Sequence, residues 1–119
     1  MNKTIEIGGK ACQFRSSGLT PILYRRVFNR DLMKDMLAVM KKVEETSLND
    51  ESLPIEILEI FEKIAFIMNK QGDSSQPDNM DDWLDQFEFF DIYHVFPELV
   101  ELWQVENKQL STAKKKKGQ

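Results

Sequence analysis

The sequence has very little cysteine and histidine. Its 119 residues include one cysteine, Cys12, and one histidine, His94. A lone cysteine can form neither a disulfide within the chain nor a multi-cysteine metal site. A lone histidine excludes most histidine-based zinc and catalytic constellations. The sequence therefore predicts no metal, no other cofactor and no enzymatic activity.

Long apolar runs are also absent. No stretch approaches the ~20 apolar residues that cross a bilayer, and the N-terminal segment reaches Glu6 before any apolar stretch, unlike a signal peptide. Hydrophobic residues make up 41% and charged residues 30% of the chain, which is typical of a soluble globular protein. We therefore expect one domain without membrane contact.

Basic residues are scarce in the second half of the sequence. Met1–Leu48 carries nine Lys and Arg against five acids, whereas Asn49–Leu110 carries three Lys against fifteen acids. Such an acidic body would repel phosphates, so nucleic acid is not an expected partner. The basic and acidic halves either fold against each other within one subunit or stack head to tail between copies.

The residue pattern predicts a mainly α fold of about four to five helices with a short N-terminal β-hairpin. Two alternating segments flank Gly8-Gly9 over about residues 3–15, as in a hairpin with a tight turn. The helical domain is expected to span 1–110, and the lysine-rich tail 111–119 is expected to be disordered. The expected buried residues of the hairpin are Ile5, Ile7, Cys12 and Phe14.

Two helices are predicted after the hairpin. Thr20 is a good N-cap because proline follows it in the first helical position. Asn29-Arg30-Asp31 either ends this helix or kinks it. An apolar stripe from Leu32 predicts a second helix that ends near Glu45, before a polar loop. The first helix carries apolar residues at helical spacing: Ile22, Leu23, Val27 and Phe28.

The longest helix is predicted between Pro54 and Gly72, with Gly72 as its C-terminal cap. Its apolar residues spread around much of its circumference, which is typical of a helix buried by several neighbours. A loop is expected over residues 71–78.

The aromatic segment is predicted to be helical. Asn79 and Asp82 approximate a capping box. The helix that begins there is expected to end or kink near His94, before Pro97. A last helix is expected from Pro97 to about Leu110.

Three patterns resemble chemical sites without meeting their requirements. The acids from Asp78 to Asp85 lack the central Gly and terminal Glu of a calcium loop. Gly8-Gly9-Lys10 lacks the spacing of a phosphate-binding loop. His94 has Asp91 three residues earlier but no activated nucleophile. Caps, a turn and a structural or surface histidine are the better interpretations, and an enzyme built around His94 is the weakest alternative.

The candidate functional residues point to protein binding. The six methionines are either core filler or an adaptable binding surface. The rings between residues 87 and 103 exceed what one side of a short helix buries, and three arginines fit an acidic protein partner. The candidate partner-binding residues are Met33, Met36, Met40, Phe87, Phe89, Phe90, Tyr93, Phe96, Trp103, Arg25, Arg26 and Arg30.

The order of these features resembles one protein family. The hairpin sequence Thr-Ile-Glu-Ile-Gly-Gly-Lys precedes Arg-Ser-Ser-Gly-Leu-Thr-Pro-Ile-Leu-Tyr-Arg-Arg-Val-Phe-Asn-Arg-Asp-Leu, which runs from Arg15 to Leu32. With the acidic helical body and the aromatic segment Trp83–Phe96, this pattern resembles the tail assembly chaperones of long-tailed phages and prophages of Gram-positive bacteria. The resemblance covers nearly the whole chain and is most specific from Arg15 to Leu32.

The resemblance implies a small, mostly helical protein without enzymatic activity. Chaperones of this family coat the tape measure protein, keep it soluble and help to recruit the major tail protein during tube assembly. They act in the host cytoplasm and are absent from the mature virion. Free copies are expected to self-associate.

Two alternatives remain open at the level of sequence. In this family a programmed ribosomal frameshift commonly appends a second domain. The codons of Lys114–Lys117 are consistent with an A-rich slippery run, and the lysines are equally consistent with a solvated basic tail. The competing function is a small helical regulatory adaptor that binds a transcription factor or another protein.

Overall fold

The structure, a computed structural model, describes residues 2–45, 53–88 and 91–101. It is mainly α with an N-terminal two-stranded hairpin, which confirms the predicted fold class. The predictions for the 46–52 loop, Phe89, Phe90, Trp103 and the tail lie outside the described residues. The elements are β1 (Asn2–Ile7), β2 (Lys10–Arg15), α1 (Thr20–Phe28), α2 (Leu32–Glu45), α3 (Ile55–Gly72), α4 (Met80–Leu84) and α5 (Asp91–His94), and residues 96–101 are also helical.

The hairpin folds as its alternation predicts. β1 and β2 pair antiparallel, and the turn residues Gly8 and Gly9 have φ of 58° and 83°. A two-residue type I′ turn needs positive φ at both positions, which glycine adopts without a steric penalty. The predicted buried side is confirmed and packs on α3 through β2, with these buried residues: Ile5, Ile7, Cys12 and Phe14.

The first helix begins where the sequence predicts, but its cap differs. Leu19 occupies the N-cap position without a side-chain hydrogen bond. The Thr20 hydroxyl instead accepts from the Ser17 amide at 2.9 Å and donates to Gln71 Oε1 at 2.6 Å, which ties the helix to α3. Asn29 ends the helix with a left-handed φ of 56°, so the segment that follows is a helix end and not a kink.

The long helix α3 is the centre of the core. β2, α1, α2 and α4 all pack against it, as the wide apolar band predicts. At its start Pro54 takes the cap position without a side-chain hydrogen bond. Its buried apolar residues are Ile57, Ile60, Phe61, Ile64, Ala65, Phe66, Ile67 and Met68.

Gly72 is the last residue of α3, and its predicted role as C-terminal cap is wrong. Asp73 is the cap residue and has extended backbone, so the loop begins there and not at Gln71. A Cβ at position 72 would collide with the backbone carbonyl of Gln13 in β2. Glycine is therefore needed for close packing of the strand on the helix.

The aromatic segment forms two short helices, so the single helix expected up to His94 is wrong. Asn79 caps α4 as predicted: its Oδ1 accepts from the Asp82 amide and its Nδ2 donates to Asp82 Oδ2, both at 2.8 Å. After Leu84 the backbone tightens, and the Phe87 amide bonds the Leu84 carbonyl at 3.1 Å. Such i→i+3 bonds end an α-helix. α5 follows, with only four residues.

Candidate protein-binding surface

The candidate methionines of α2 divide between core and surface. Met36 and Met40 are buried on the side of α2 that packs against α3, so their prediction as a binding surface is wrong and they act as core filler. Met33 is 41% exposed, and Leu37 one turn later is 50% exposed. Of the three methionines, Met33 alone is available to a partner.

Most of the described candidate rings also belong to the interior. Phe96 is buried and lies against Phe61, with ring centroids 4.6 Å apart. Phe87 is half-buried and packs on Trp83 at 5.3 Å. The prediction of an exposed ring is wrong for Phe96, which is buried, whereas Phe87 exposes only part of its ring because the rest packs on the core.

Tyr93 is the described candidate ring that reaches the surface. Its side chain is 36% exposed, and its hydroxyl donates to Glu62 Oε1 at 2.7 Å. This hydrogen bond, together with partial burial, raises the pKa of Tyr93 to about 12. The hydroxyl is therefore already engaged with α3.

Arg30 is engaged within the subunit. Its guanidinium forms a two-pronged ion pair with Asp35, Nε to Oδ2 at 2.7 Å and Nη2 to Oδ1 at 3.0 Å, and Tyr24 donates its hydroxyl to Asp35 Oδ2 at 2.6 Å. Burial acts to raise the pKa of Asp35, but these hydrogen bonds and the positive charge outweigh it and lower the pKa. The three side chains fix the turn between α1 and α2, so Arg30 is a structural residue and not a free contact.

A second polar junction holds β2, α3 and α4 together. Asn69 is fully buried, its Nδ2 donates to the Gln13 carbonyl at 2.7 Å, and its Oδ1 accepts from Trp83 Nε1 at 2.8 Å. We call these three residues the Asn69 junction. Its buried amide is satisfied on both sides, as the interior of a protein requires.

The outer face of α1 exposes apolar side chains next to arginines. Leu19, Ile22 and Arg26 are three and four residues apart, so they share one side of the helix. Arg25 and Arg26 are exposed, and their side chains have no hydrogen-bond or ion-pair partner among the described residues. We define the α1 surface by these exposed residues: Leu19 (47%), Ile22 (39%), Arg25, Arg26 and Val27 (54%).

The α1 surface adjoins an open hollow at the turn between α1 and α2. The hollow has a volume of about 300 Å³. It brings charges of both signs together, since Arg25 and Asp31 line it. Its lining residues are Pro21, Arg25, Asn29, Arg30, Asp31 and Leu32.

The exposed face of α2 has a similar composition. Met33, Leu37 and Lys41 follow one another at intervals of four residues. Successive residues of an α-helix rotate by ~100°, so this stripe lies opposite Asp35, whose side chain faces α1. We define the α2 surface by its exposed residues Met33, Lys34, Leu37 and Lys41; Glu44 lies beyond them on the same side.

The sequence does not predict that the apolar residues of the α1 surface are exposed, because they recur at helical spacing, which favours burial. A signal was nevertheless available. If all the apolar residues of this nine-residue helix were buried, they would have to face the core in nearly every direction. A helix packed on one side buries only one stripe of residues. Thr20 and Tyr24 are the buried residues of α1, whereas Ile22 and Val27 are exposed.

The residues weighed for chemistry differ in exposure. His94 is exposed at the end of α5. Cys12 is buried in the hairpin, its thiol donates to the Lys10 carbonyl at 3.6 Å, and burial raises the pKa of the thiol. Over residues 2–45, 53–88 and 91–101, no group of three or more His, Cys, Asp or Glu side chains is arranged to hold a metal ion.

None of the helices in the described part of the chain is long and apolar enough to span a membrane. No known protein-family model matches the sequence, and neither a curated protein nor a solved structure matches it significantly. The interpretation of the α1 and α2 surfaces therefore depends on their own chemistry. Exposed apolar side chains interleaved with unpaired cations are suited to binding protein.

Proposed function

We propose that this chain is a phage tail assembly chaperone. It binds and solubilises the tape measure protein and helps to recruit the major tail protein during tail assembly in the bacterial cytoplasm. The main support is the α1 surface. The stretch Arg15–Leu32, in which the family resemblance is most specific, contains α1, and Leu19, Ile22 and Val27 within it are exposed.

The proposed contact buries these apolar side chains against an apolar stripe of a tape measure helix. Full burial of such a side chain is worth ~1.5–3 kcal/mol, so a half-exposed one adds about 1 kcal/mol. Three of them supply about 3 kcal/mol, less than the cost of bringing two proteins together. One copy therefore binds weakly, and many copies along a repetitive helix bind firmly through multivalency.

Arg25 and Arg26 extend the contact beyond the apolar side chains. Both flank Ile22 on α1, and neither guanidinium has a partner among the described residues. They favour a partner with acidic residues beside its apolar stripe, since complementary charge sets register and speeds association.

Co-expression with a tape measure fragment tests the function. We expect the fragment to stay soluble and to co-purify with the unaltered chain, but to aggregate with the Ile22→Ser, Val27→Ser double variant. The matched control is Ile55→Ser, since Ile55 is an exposed apolar residue on α3 and its loss should leave solubilisation intact.

The possible results separate the proposals. A fragment that remains insoluble with the unaltered chain, with no complex eluting, contradicts the chaperone function and favours the regulatory adaptor. A fragment that the double variant solubilises as well as the unaltered chain does contradicts the α1 surface as the contact.

A further inference from the structure

The α2 surface carries positive charge that the subunit does not neutralise. Lys34 and Lys41 flank the exposed Met33 and Leu37, and neither ammonium group has a hydrogen-bond or ion-pair partner among the described residues. An apolar stripe bordered by unpaired cations fits an apolar surface bordered by carboxylates.

The region around α4 provides that complementary chemistry. The segment 71–101 contains no lysine or arginine, so its carboxylates lack cations of their own segment. Asp81, Asp85 and Glu88 are exposed and have no side-chain partner among the described residues, and half-buried Met80 and Leu84 lie beside them. We define the α4 surface by Met80, Asp81, Asp82, Leu84, Asp85 and Glu88.

The two surfaces do not pair with each other inside one subunit. Three ion pairs of the described residues join partners of the same half, and none of them involves a residue of the α2 surface or the α4 surface: Arg30–Asp35, Lys42–Glu45 and Lys70–Asp78. Both α2 and α4 pack on α3, and the charged side chains of the α2 and α4 surfaces are exposed. Opposite charges that one copy leaves unpaired can pair between two copies.

We propose that the α2 surface of one copy docks on the α4 surface of a second copy, head to tail. Both complementary surfaces lie on the same chain, so a second copy supplies the charge and the apolar area that each lacks. Because the two surfaces differ, the contact is heterologous and generates a ring or a filament. It deepens the self-association within the proposed function, since a row of copies suits a rod-shaped partner.

The contact depends on electrostatics and is weak for an isolated pair. Exposed ion pairs contribute little individually, and salt screens them. Sedimentation velocity of the purified chain over a range of concentrations should therefore show reversible association that weakens as the salt concentration rises.

Charge exchange tests the pairing of the surfaces. We expect Lys34→Glu, Lys41→Glu and, in a separate chain, Asp81→Lys, Asp85→Lys each to weaken self-association about tenfold. A mixture of the two variants should associate again, because the acidic α2 of one variant meets the basic α4 of the other. Lys3→Glu, Lys10→Glu in the exposed part of the hairpin is the matched control and should associate like the unaltered chain.

Three results would overturn the proposal: a chain that stays monomeric at every concentration, exchanged variants that associate like the unaltered chain, or a mixture that does not associate. Circular dichroism establishes that each variant is folded. The self-association experiments contain no tape measure protein, so a negative result in them does not contradict the chaperone function if co-expression succeeds. Failure of co-expression likewise leaves the head-to-tail contact standing.

Discussion

The Asn69 junction and the α1 surface use side chains in opposite ways. In the junction, the amide of Asn69 is buried and bonded on both sides, to Gln13 and to Trp83. On the α1 surface, Ile22 and Val27 are exposed and Arg26 has no partner among the described residues. The junction therefore stabilises the subunit, whereas the α1 surface adds little to its stability and is available for binding.

The largest expected effect comes from breaking the junction. Asn69→Ala removes the partner of the buried Trp83 indole N–H and of the part-buried Gln13 carbonyl, so we expect the free energy of unfolding to fall by about 3 kcal/mol, measured by urea denaturation. The comparison variant is Asn79→Ala, which removes an exposed cap and should cost about 1 kcal/mol. Equal losses for the two variants would contradict the structural role of the junction.

Close packing next to the junction should have the second largest effect. Gly72→Ala places a methyl group against the Gln13 carbonyl, and we expect a loss of about 2 kcal/mol in unfolding free energy. Gly18→Ala is the control, because a Cβ there meets nothing within 4 Å and should change stability by less than about 0.5 kcal/mol. A Gly72→Ala chain as stable as the control would exclude the close approach of β2.

The α1–α2 turn should show a smaller effect that depends on pH. Tyr24→Phe removes a hydrogen bond to the carboxylate of Asp35, which is worth about 1.5 kcal/mol at neutral pH. Folding lowers the pKa of Asp35. The ionised carboxylate therefore stabilises the fold fully above the pKa that Asp35 has in the unfolded chain, near 4, and this stabilisation is lost as the pH falls through the lower pKa of the folded chain.

The variant lacks part of that stabilisation, so acid should destabilise it less than it destabilises the unaltered chain. Urea denaturation at about pH 6 and about pH 3 measures the difference. Tyr93→Phe is the control, because its hydroxyl bonds Glu62 at the surface. A stability gap between Tyr24→Phe and the unaltered chain that does not narrow in acid would contradict the proposed role of Asp35.

The smallest effect on stability is expected on the α1 surface itself. Serine has nearly the same helix propensity as isoleucine and valine, and the side chains at 22 and 27 are exposed. Each exposed substitution should change the unfolding free energy by at most about 0.5 kcal/mol, so Ile22→Ser, Val27→Ser should change it by less than about 1 kcal/mol. A loss above about 2 kcal/mol would mean that these residues support the fold and are not reserved for a partner.

Local patterns predict those parts of the structure that local physics decides. The period-two alternation around Gly8-Gly9 gives the hairpin and its buried side, and Asn79 gives the start of α4. Gly72 is different: its position at a helix end indicates a cap, but a tertiary contact with Gln13 determines its role. No feature of the sequence near position 72 contains that information.

The candidate site was predicted only in part for the same reason. Arg25, Arg26 and Met33 are exposed as a binding role requires, whereas Met36 and Phe96 belong to the core. Composition indicates an excess of apolar side chains but not which of them face α3. That choice depends on how α1 and α2 are rotated, and side chains distant in sequence set this rotation.

Hydrogen–deuterium exchange tests most directly whether the α1 surface is the contact with the tape measure protein. Amide exchange over residues 19–28 is compared between the purified chain and its complex with a helical tape measure fragment. We expect slower exchange across these residues in the complex and unchanged exchange in the hairpin, residues 2–15. Unchanged exchange over 19–28 in a complex that has formed would contradict the assignment.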